Sequence, residues 1–574
     1  MRTPVRRFLV FATLVALLIG AVGISAPVAL GAQPLSTRVA GINVDATTIP
    51  QLQALMYRHR LTSVQLVQFY LHRIRDLNPK LHAVITVNPR ALALARAADK
   101  ARRFGDRRPL LGIPVLVKDN VNTTGMPTTG GSWALAGSTP SDAFIVQRLK
   151  AAGAIVIAKA NLSEWANFRS NPSSSGWSGI GGQTNMPYVL DRNPCGSSSG
   201  TGSGIAADLA TVGVGTETDG SIVCPAGANG IVGLKPTIGL WSRAGVIPIS
   251  ADQDTAGPMT RNVTDAAVVL GAATGIDSND PATAAQAGHV SADYTRFLDA
   301  HALEGKRIGI WRVGTYSDAT KDIAEPILAD VIDVLKSQGA TVVDPTDIDL
   351  SAAFANEFPA LLCEFKTDIA TYLQTYTAAG YPKTLADLIA FNKTHTELEG
   401  PWNNGLWEDA EKTGGRSDPA CQAARAATTA PTQAAVDGLM AANDLDAIVG
   451  LTNGPAWVTS DDPKRGDLEG TKDFSLFIGN STASAVAGYA TITVPATYVG
   501  HLPINISFIG GRWSEPEMIA FGFDYEQATH ARVPPTFLAH ETASAAAALK
   551  GPAIHESKKS AVAGREMRGR MLGR

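Results

Sequence analysis

The chain has 574 residues, 45% of them hydrophobic and 18% charged, with a formal net charge of −3. That is ordinary globular composition, long enough for a large buried core, and it gives no support for a nucleic-acid partner, which would want a dense basic face. Four cysteines are too few for a disulfide scaffold, no pair has CxxC spacing, and the ten histidines fall in no ligand pattern, so no metal site is expected.

In chain order, Arg2, Arg6 and Arg7 precede an uncharged apolar run over 8–24, and small residues follow, with cleavage sites at Ala29-Leu30-Gly31 or ending at Ala32. This is the pattern of a secretory signal peptide over residues 1–32. An uncleaved anchor is the competing reading, because the run is near the ~17-residue lower limit for spanning. Arg6-Arg7-Phe8-Leu9 hints at twin-arginine export. The mature protein is therefore expected to be secreted or periplasmic, without stable membrane association after cleavage. The other end, 546–574, carries Lys558, Lys559, Arg565, Arg568, Arg570 and Arg574 and reads as a solvated, disordered basic tail.

Between them, 33–545 reads as one large α/β domain. Two amphipathic helices are expected over 47–78, with a capping box at Thr62 and Gln65 and a stop at Asn78-Pro79. An Ala-rich helix over 89–103, a buried strand over 111–117, a helix over 142–152 and a strand over 154–158 follow. Further strands are expected at 212–215, 231–234, 307–311, 341–343, 447–451, 491–494 and 504–509. Helices fall near 323–338, 432–442 and 515–529, and 350–430 reads as a helical excursion from the sheet. Alternation of this kind builds a sheet covered by helices.

Between 173 and 204, eight Gly and eight Ser make up half of 32 residues. A flexible spacer is the bland reading. Trp177, Ile180, Tyr188, Val189 and Leu190 are interleaved, however, and a long loop inside a compact domain is usually functional. The run Cys195-Gly196-Ser197-Ser198-Ser199-Gly200-Thr201-Gly202 lacks the closing Gly-Lys-Ser/Thr of a phosphate-binding loop. There is no GxSxG elbow and no histidine nearby, so a Ser–His–Asp hydrolase is poorly supported. Cys195 and Cys224 read as buried packing residues, a bridge between them being the alternative. Four cysteines allow three pairings, which sequence cannot choose among.

Three further motifs accompany that run: Pro114-Val115-Leu116-Val117-Lys118-Asp119-Asn120, Gly215-Thr216-Glu217-Thr218-Asp219-Gly220-Ser221-Ile222 and Gly233-Leu234-Lys235-Pro236-Thr237. Together with Asp254-Thr255-Ala256-Gly257-Pro258-Met259 and the stretches at 487–495 and 501–504, they make the chain resemble the amidase signature family over nearly its whole mature length. The resemblance implies a single large mixed β-sheet core covered by helices. It also implies hydrolysis of a C–N amide bond to a carboxylate plus ammonia or an amine, with no cofactor.

Carried onto this chain, the family's nucleophile is Ser221, its bridging serine, often reached through a cis peptide, is Ser197, and its lysine is Lys118. The backbone N–H groups of Thr218, Asp219, Gly220 and Ser221 would form the oxyanion hole, and Ser198 would help hold the lysine. The chemistry is coherent by itself: serine needs a base, and lysine serves as one only when burial away from counter-charges lowers its pKa. Asp119 is expected to point to the opposite face from Lys118.

Two positions depart from the common family pattern: Asp219 stands where many members have glycine, and Val223 where many have arginine. Both are similar to the bacterial peptide-amidase branch, as are Cys195-Gly196-Ser197-Ser198-Ser199 and Leu451-Thr452-Asn453-Gly454-Pro455-Ala456-Trp457. A C-terminal peptide amide is the substrate this branch implies, with a small aliphatic or aryl amide close behind. A glutaminase-type subunit of an amidotransferase and a non-catalytic amidase-like binding protein are the rivals.

Overall fold

The computed structural model describes residues 36–313, 315–316, 320–459 and 479–541. The signal-peptide and basic-tail readings lie outside these residues. Among the described residues no helix is long and apolar enough to cross a membrane.

Helix α1 (Ile49–Tyr57) and helix α2 (Ser63–Leu81) open the fold. Thr62 and Gln65 close the expected capping box, and Leu66, Val67, Tyr70 and Ile74 turn inward at helical spacing. The helix does not stop at Asn78-Pro79 but runs to Leu81. A proline in the last turn forfeits one helical hydrogen bond, and His82, at φ 49°, ends the helix with its N–H on Asn78 O at 2.8 Å.

The main sheet has 11 strands among the described residues. In chain order they are β1 (Val84–Val87), β2 (Pro114–Lys118), β3 (Ile155–Ala160), β4 (Val212–Glu217), β5 (Val232–Lys235) and β6 (Thr255–Thr260). Then come β7 (Arg307–Ile310), β8 (Thr341–Val343), β9 (Ala447–Leu451), β10 (Thr491–Val499) and β11 (Leu502–Ile509). Their order across the sheet is β8-β7-β9-β11-β10-β5-β6-β4-β2-β3-β1. Strand β2 runs parallel to β3 and β4, and β7 parallel to β8 and β9, while the remaining pairs are antiparallel. The sheet is thus mixed, and its central strands are buried apolar runs, as a sheet covered on both faces requires. Strands β1 and β6 were not expected. The Gly257-Pro258 pair inside β6 is a poor strand signal, overridden by pairing to β4 and β5 on its two sides.

Helices α3 (Ala91–Arg103), α4 (Phe144–Ala151), α5 (Ser199–Ala206), α6 (Val223–Ala228), α7 (Val263–Ala273) and α8 (Lys321–Ser337) accompany the first strands. The segment expected to leave the sheet forms α9 (Ser351–Tyr376), α10 (Leu385–Thr394), α11 (Gly405–Lys412) and α12 (Pro419–Asn443). The helix expected at 432–442 is the end of α12, which runs through Pro431 while packed along α9. The excursion is no separate layer. Phe365, Leu388, Leu406 and Trp407 share a second apolar cluster with Trp165, Phe168 and Ile249 from the sheet's own loops. Helices α13 (Thr482–Ala487) and α14 (Glu515–Thr529) complete the described chain.

Cys195 and Cys224 are joined by a disulfide, which corrects the packing-residue reading; the fold brings their Cα atoms to 5.9 Å, within bridging reach. Cys363 and Cys421 are buried and free.

Candidate active site

Strand β2 ends on Lys118, whose side chain is fully buried. Its Nζ lies 2.7 Å from Ser197 Oγ, 2.8 Å from Thr216 Oγ1 and 3.2 Å from Thr216 O. No carboxylate is in contact with it among the described residues. Burial therefore pulls its pKa down to about 7, against a weaker upward pull from the charges of Asp254 and Glu217. The neighbouring Asp119 points the other way, to Lys159 and Thr129, as strand alternation demands.

Ser197 follows a cis Gly196–Ser197 peptide bond. A Cβ at Gly196 would come within 2.2 Å of Ser163 Oγ and 2.8 Å of Ser199 Oγ, so a larger residue would have to displace these hydroxyls. Ser163 N donates to Ser197 O at 3.0 Å, tying this loop to the end of β3. Ser198 does not hold Lys118 directly: its hydroxyl donates to Thr216 O and accepts from Thr216 N, and Thr216 in turn holds the lysine. The link from Ser198 to the lysine thus passes through a threonine.

Beyond β4 the chain turns sharply. Gly220 sits at φ 79°, a left-handed conformation that favours glycine. Glu217 Oε2 accepts from Ile222 N (2.7 Å) and Val223 N (3.0 Å), fastening the start of α6. Thr218 Oγ1 donates to Asp254, whose other oxygen accepts from Ile249 N and Ser250 N; burial raises the Asp254 pKa to about 6. This leaves the N–H groups of Thr218, Asp219, Gly220 and Ser221 without an acceptor among the described residues. Unpaired donors on one turn are what a developing oxyanion needs.

Ser221 is tied to the Ser197 loop through its carbonyl, which accepts from Ser198 N at 3.2 Å. Its hydroxyl makes no hydrogen bond to Ser197, and the residue lines a cavity. So the structure brings Lys118 and Ser197 into contact, sets Ser221 beside them, and leaves the nucleophile candidate facing open space.

The cavity is lined by apolar residues, Phe168, Ile249, Phe358, Leu361 and Leu406, and by polar ones, Asn167, Ser175, Asp219 and Glu357. Asp219, the residue that departs from the common pattern, is held by Thr482 Oγ1 at 2.7 Å. It also faces Glu357: burial raises both carboxyls, the charge of Asp219 pushes Glu357 further up, to about 8, and hydrogen bonds from Ser481, Thr482 and Glu357 hold Asp219 back. Val223 is buried at the head of α6. Sequence reasoning missed Thr216, Asn120 (2.9 Å from Thr216 Oγ1), Glu217 and Asp254 as supports, and Phe358 and Glu357 as cavity walls. The first four sat inside quoted motifs. The last two lie far along the chain with no local signal.

Residues 65–519 match the family model described as Amidase. A probable amidase of Arabidopsis thaliana is 40% identical over 511 residues, covering 87% of this chain and 93% of that protein. The structure of native peptide amidase from Stenotrophomonas maltophilia shares 46% identity at a TM-score of 0.79, covering 86% of this chain and 99% of the other. A glutamyl-tRNA(Gln) amidotransferase subunit of Halorhodospira halophila is 31% identical over 500 residues, covering 85% of this chain and 99% of that protein.

Proposed function

This chain belongs to the amidase family and hydrolyses amides, and we propose that it does so through an acyl-Ser221 intermediate, acting on C-terminal peptide amides. The observation that carries the mechanism is a buried amine with no carboxylate in contact among the described residues, 2.7 Å from the hydroxyl of Ser197. Neutral Lys118 takes the Ser197 proton as Ser197 takes that of Ser221, and Ser221 Oγ attacks the carbonyl carbon. The four free N–H groups of 218–221 stabilise the oxyanion. As the C–N bond breaks, Lys118 returns the proton through Ser197 to the departing nitrogen. Water then cleaves the acyl ester by the same relay, leaving a carboxylate.

Similarity to a peptide amidase supports the peptide-amide substrate, and the apolar lining suits the side chain of a terminal residue. The likeness to one component of an amidotransferase keeps a glutaminase role as the second reading. The test is a panel of peptide amides, aliphatic amides, aryl amides and glutamine assayed with purified protein, with Ser221→Ala as blank. Turnover confined to glutamine would replace the first reading with the second. A fluorophosphonate label should attach at Ser221; finding it on Ser199 or Ser203 would overturn the assignment.

Export belongs to the same proposal. Protein recovered from its host should begin near Ala32 or Gln33, and an intact Met1 terminus in the membrane fraction would mean an anchor instead.

A further inference from the structure

The disulfide has no part in the proton relay, yet it lies in the wall of the cavity. Cys195 is two residues before Ser197 and Cys224 three after Ser221, and both cysteines line the cavity together with Ser221. Both are largely buried, 6% and 9% exposed, and a reagent would approach them through the cavity they line. Behind them pack Ala228 and Trp457.

The bridge closes a loop between the two segments that must stay in register. Cys195 N donates to Asn193 Oδ1 at 2.9 Å, and Cys224 N to Gly220 O at 2.8 Å, so each cysteine is fastened within its own segment. Cys195 also holds φ 57°, a left-handed conformation unfavourable for a residue with a Cβ. A covalent tie at that residue opposes its relaxation, and the next two residues are Gly196 and Ser197. Cutting the tie would not release the segments altogether. Ser198 N still donates to Ser221 O, and Asn229 Nδ2 to Pro194 O at 2.9 Å.

We propose that the Cys195–Cys224 bridge is a positioning element that keeps Ser197 aligned between Lys118 and Ser221, and a modification site at which a small dithiol lowers turnover reversibly. The proposal rests on the reading of Ser221 and Ser197 as the reacting hydroxyls. In the exchange, one thiolate of the dithiol attacks a bridge sulfur and the S–S bond breaks. Its electron pair leaves on the other cysteine, which takes a proton. The second thiol of the reagent then attacks the mixed disulfide. It releases the remaining cysteine as a thiol and leaves as a cyclic disulfide, so two electrons and two protons reach the enzyme.

The experiment uses the full chain, dithiothreitol and a peptide amide. Alkylation with mass mapping should show free thiols rising from Cys363 and Cys421 alone to all four. Turnover should fall at least tenfold, kcat carrying the loss with KM within about threefold. The rising limb of the pH profile should move as Ser197 leaves Lys118, and oxidised dithiothreitol should restore the parent rate. Cys195→Ala/Cys224→Ala should be slow from the outset and indifferent to the reagent.

A reduced parent, mapped as thiols at 195 and 224, that turns over within twofold of the oxidised form would overturn the proposal. So would loss of the near-ultraviolet circular dichroism in step with activity, because the bridge would then hold the fold rather than the site. Fluorophosphonate labelling separates the two readings. A label elsewhere than Ser221 in the oxidised protein removes both, whereas equal labelling rates at Ser221 in both redox states remove this one alone.

Discussion

Two fully buried lysines stand on neighbouring strands, and they are handled in opposite ways. Lys159 on β3 lies 3.0 Å from Asp119 Oδ1 and donates to Val121 O and Thr128 Oγ1. Lys118, at the end of the parallel strand β2, has hydroxyls and a carbonyl around it and, among the described residues, no acid in contact. The acid that follows Lys118 in sequence is the one that pairs Lys159. Burial lowers both amines, but at Lys159 the pairing with Asp119 pushes back. Desolvation alone therefore does not make a base. What distinguishes the two sites is where one carboxylate points.

Removing the amines separates the two sites most strongly. Lys118→Ala should cost on the order of 10²–10⁴-fold in kcat, the usual weight of a general base, and Lys118→Arg should not rescue it, because guanidinium stays protonated. Steady-state kinetics on a peptide amide reads both. Retention of parent activity at neutral pH by Lys118→Ala would end the relay reading.

Asp119→Ala should act on the other site. It strands Lys159 as an unpaired buried charge, which typically costs about 3–5 kcal/mol of stability, measurable by urea unfolding. The midpoint of the activity–pH curve should stay where it is, since Asp119 faces away from Lys118. A shift of that midpoint would mean the two lysines are electrostatically one site.

In the parent, kcat/KM should rise with pH through about 7 as Lys118 loses its proton, with no requirement for any histidine. A single histidine substitution that abolishes acylation would contradict this.

The smallest effect is on stability against pH. Lys118 has a folded pKa of about 7 against 10.5 for an ordinary lysine, so between those values the unfolded chain binds the extra proton. Its burial penalty is thus full below about 7 and fades as pH rises toward 10.5. Lys118→Met should raise Tm at pH 6, with the gain shrinking toward pH 10, whereas Lys159→Met should show no such gain. Thermal scans across that range check it.

Much of this could be read beforehand, and the gaps have a common cause. The buried strands around β2, β4 and β9 announce themselves as short apolar β-branched runs, and the capping box at Thr62 marks α2. Strand β6 stayed hidden because Gly257-Pro258 opposes strand propensity locally, and α12 looked shorter because Pro431 mimics a boundary. Thr216 and Asp254 stood inside motifs without betraying which partner each would meet.

Motifs and periodicity along the chain carried the family resemblance and the alternation of strands and helices, and the resemblance in turn implied the candidate set Lys118, Ser197 and Ser221. The packing of distant segments was needed to show that Cys195 bridges Cys224, that Glu357 and Phe358 reach across from α9 to the Ser221 cavity, and that the partner of Asp119, turned away from Lys118 by strand alternation, is Lys159. Each of those depends on which distant segments pack together. Packing of the whole core settles such contacts, and no local preference records them.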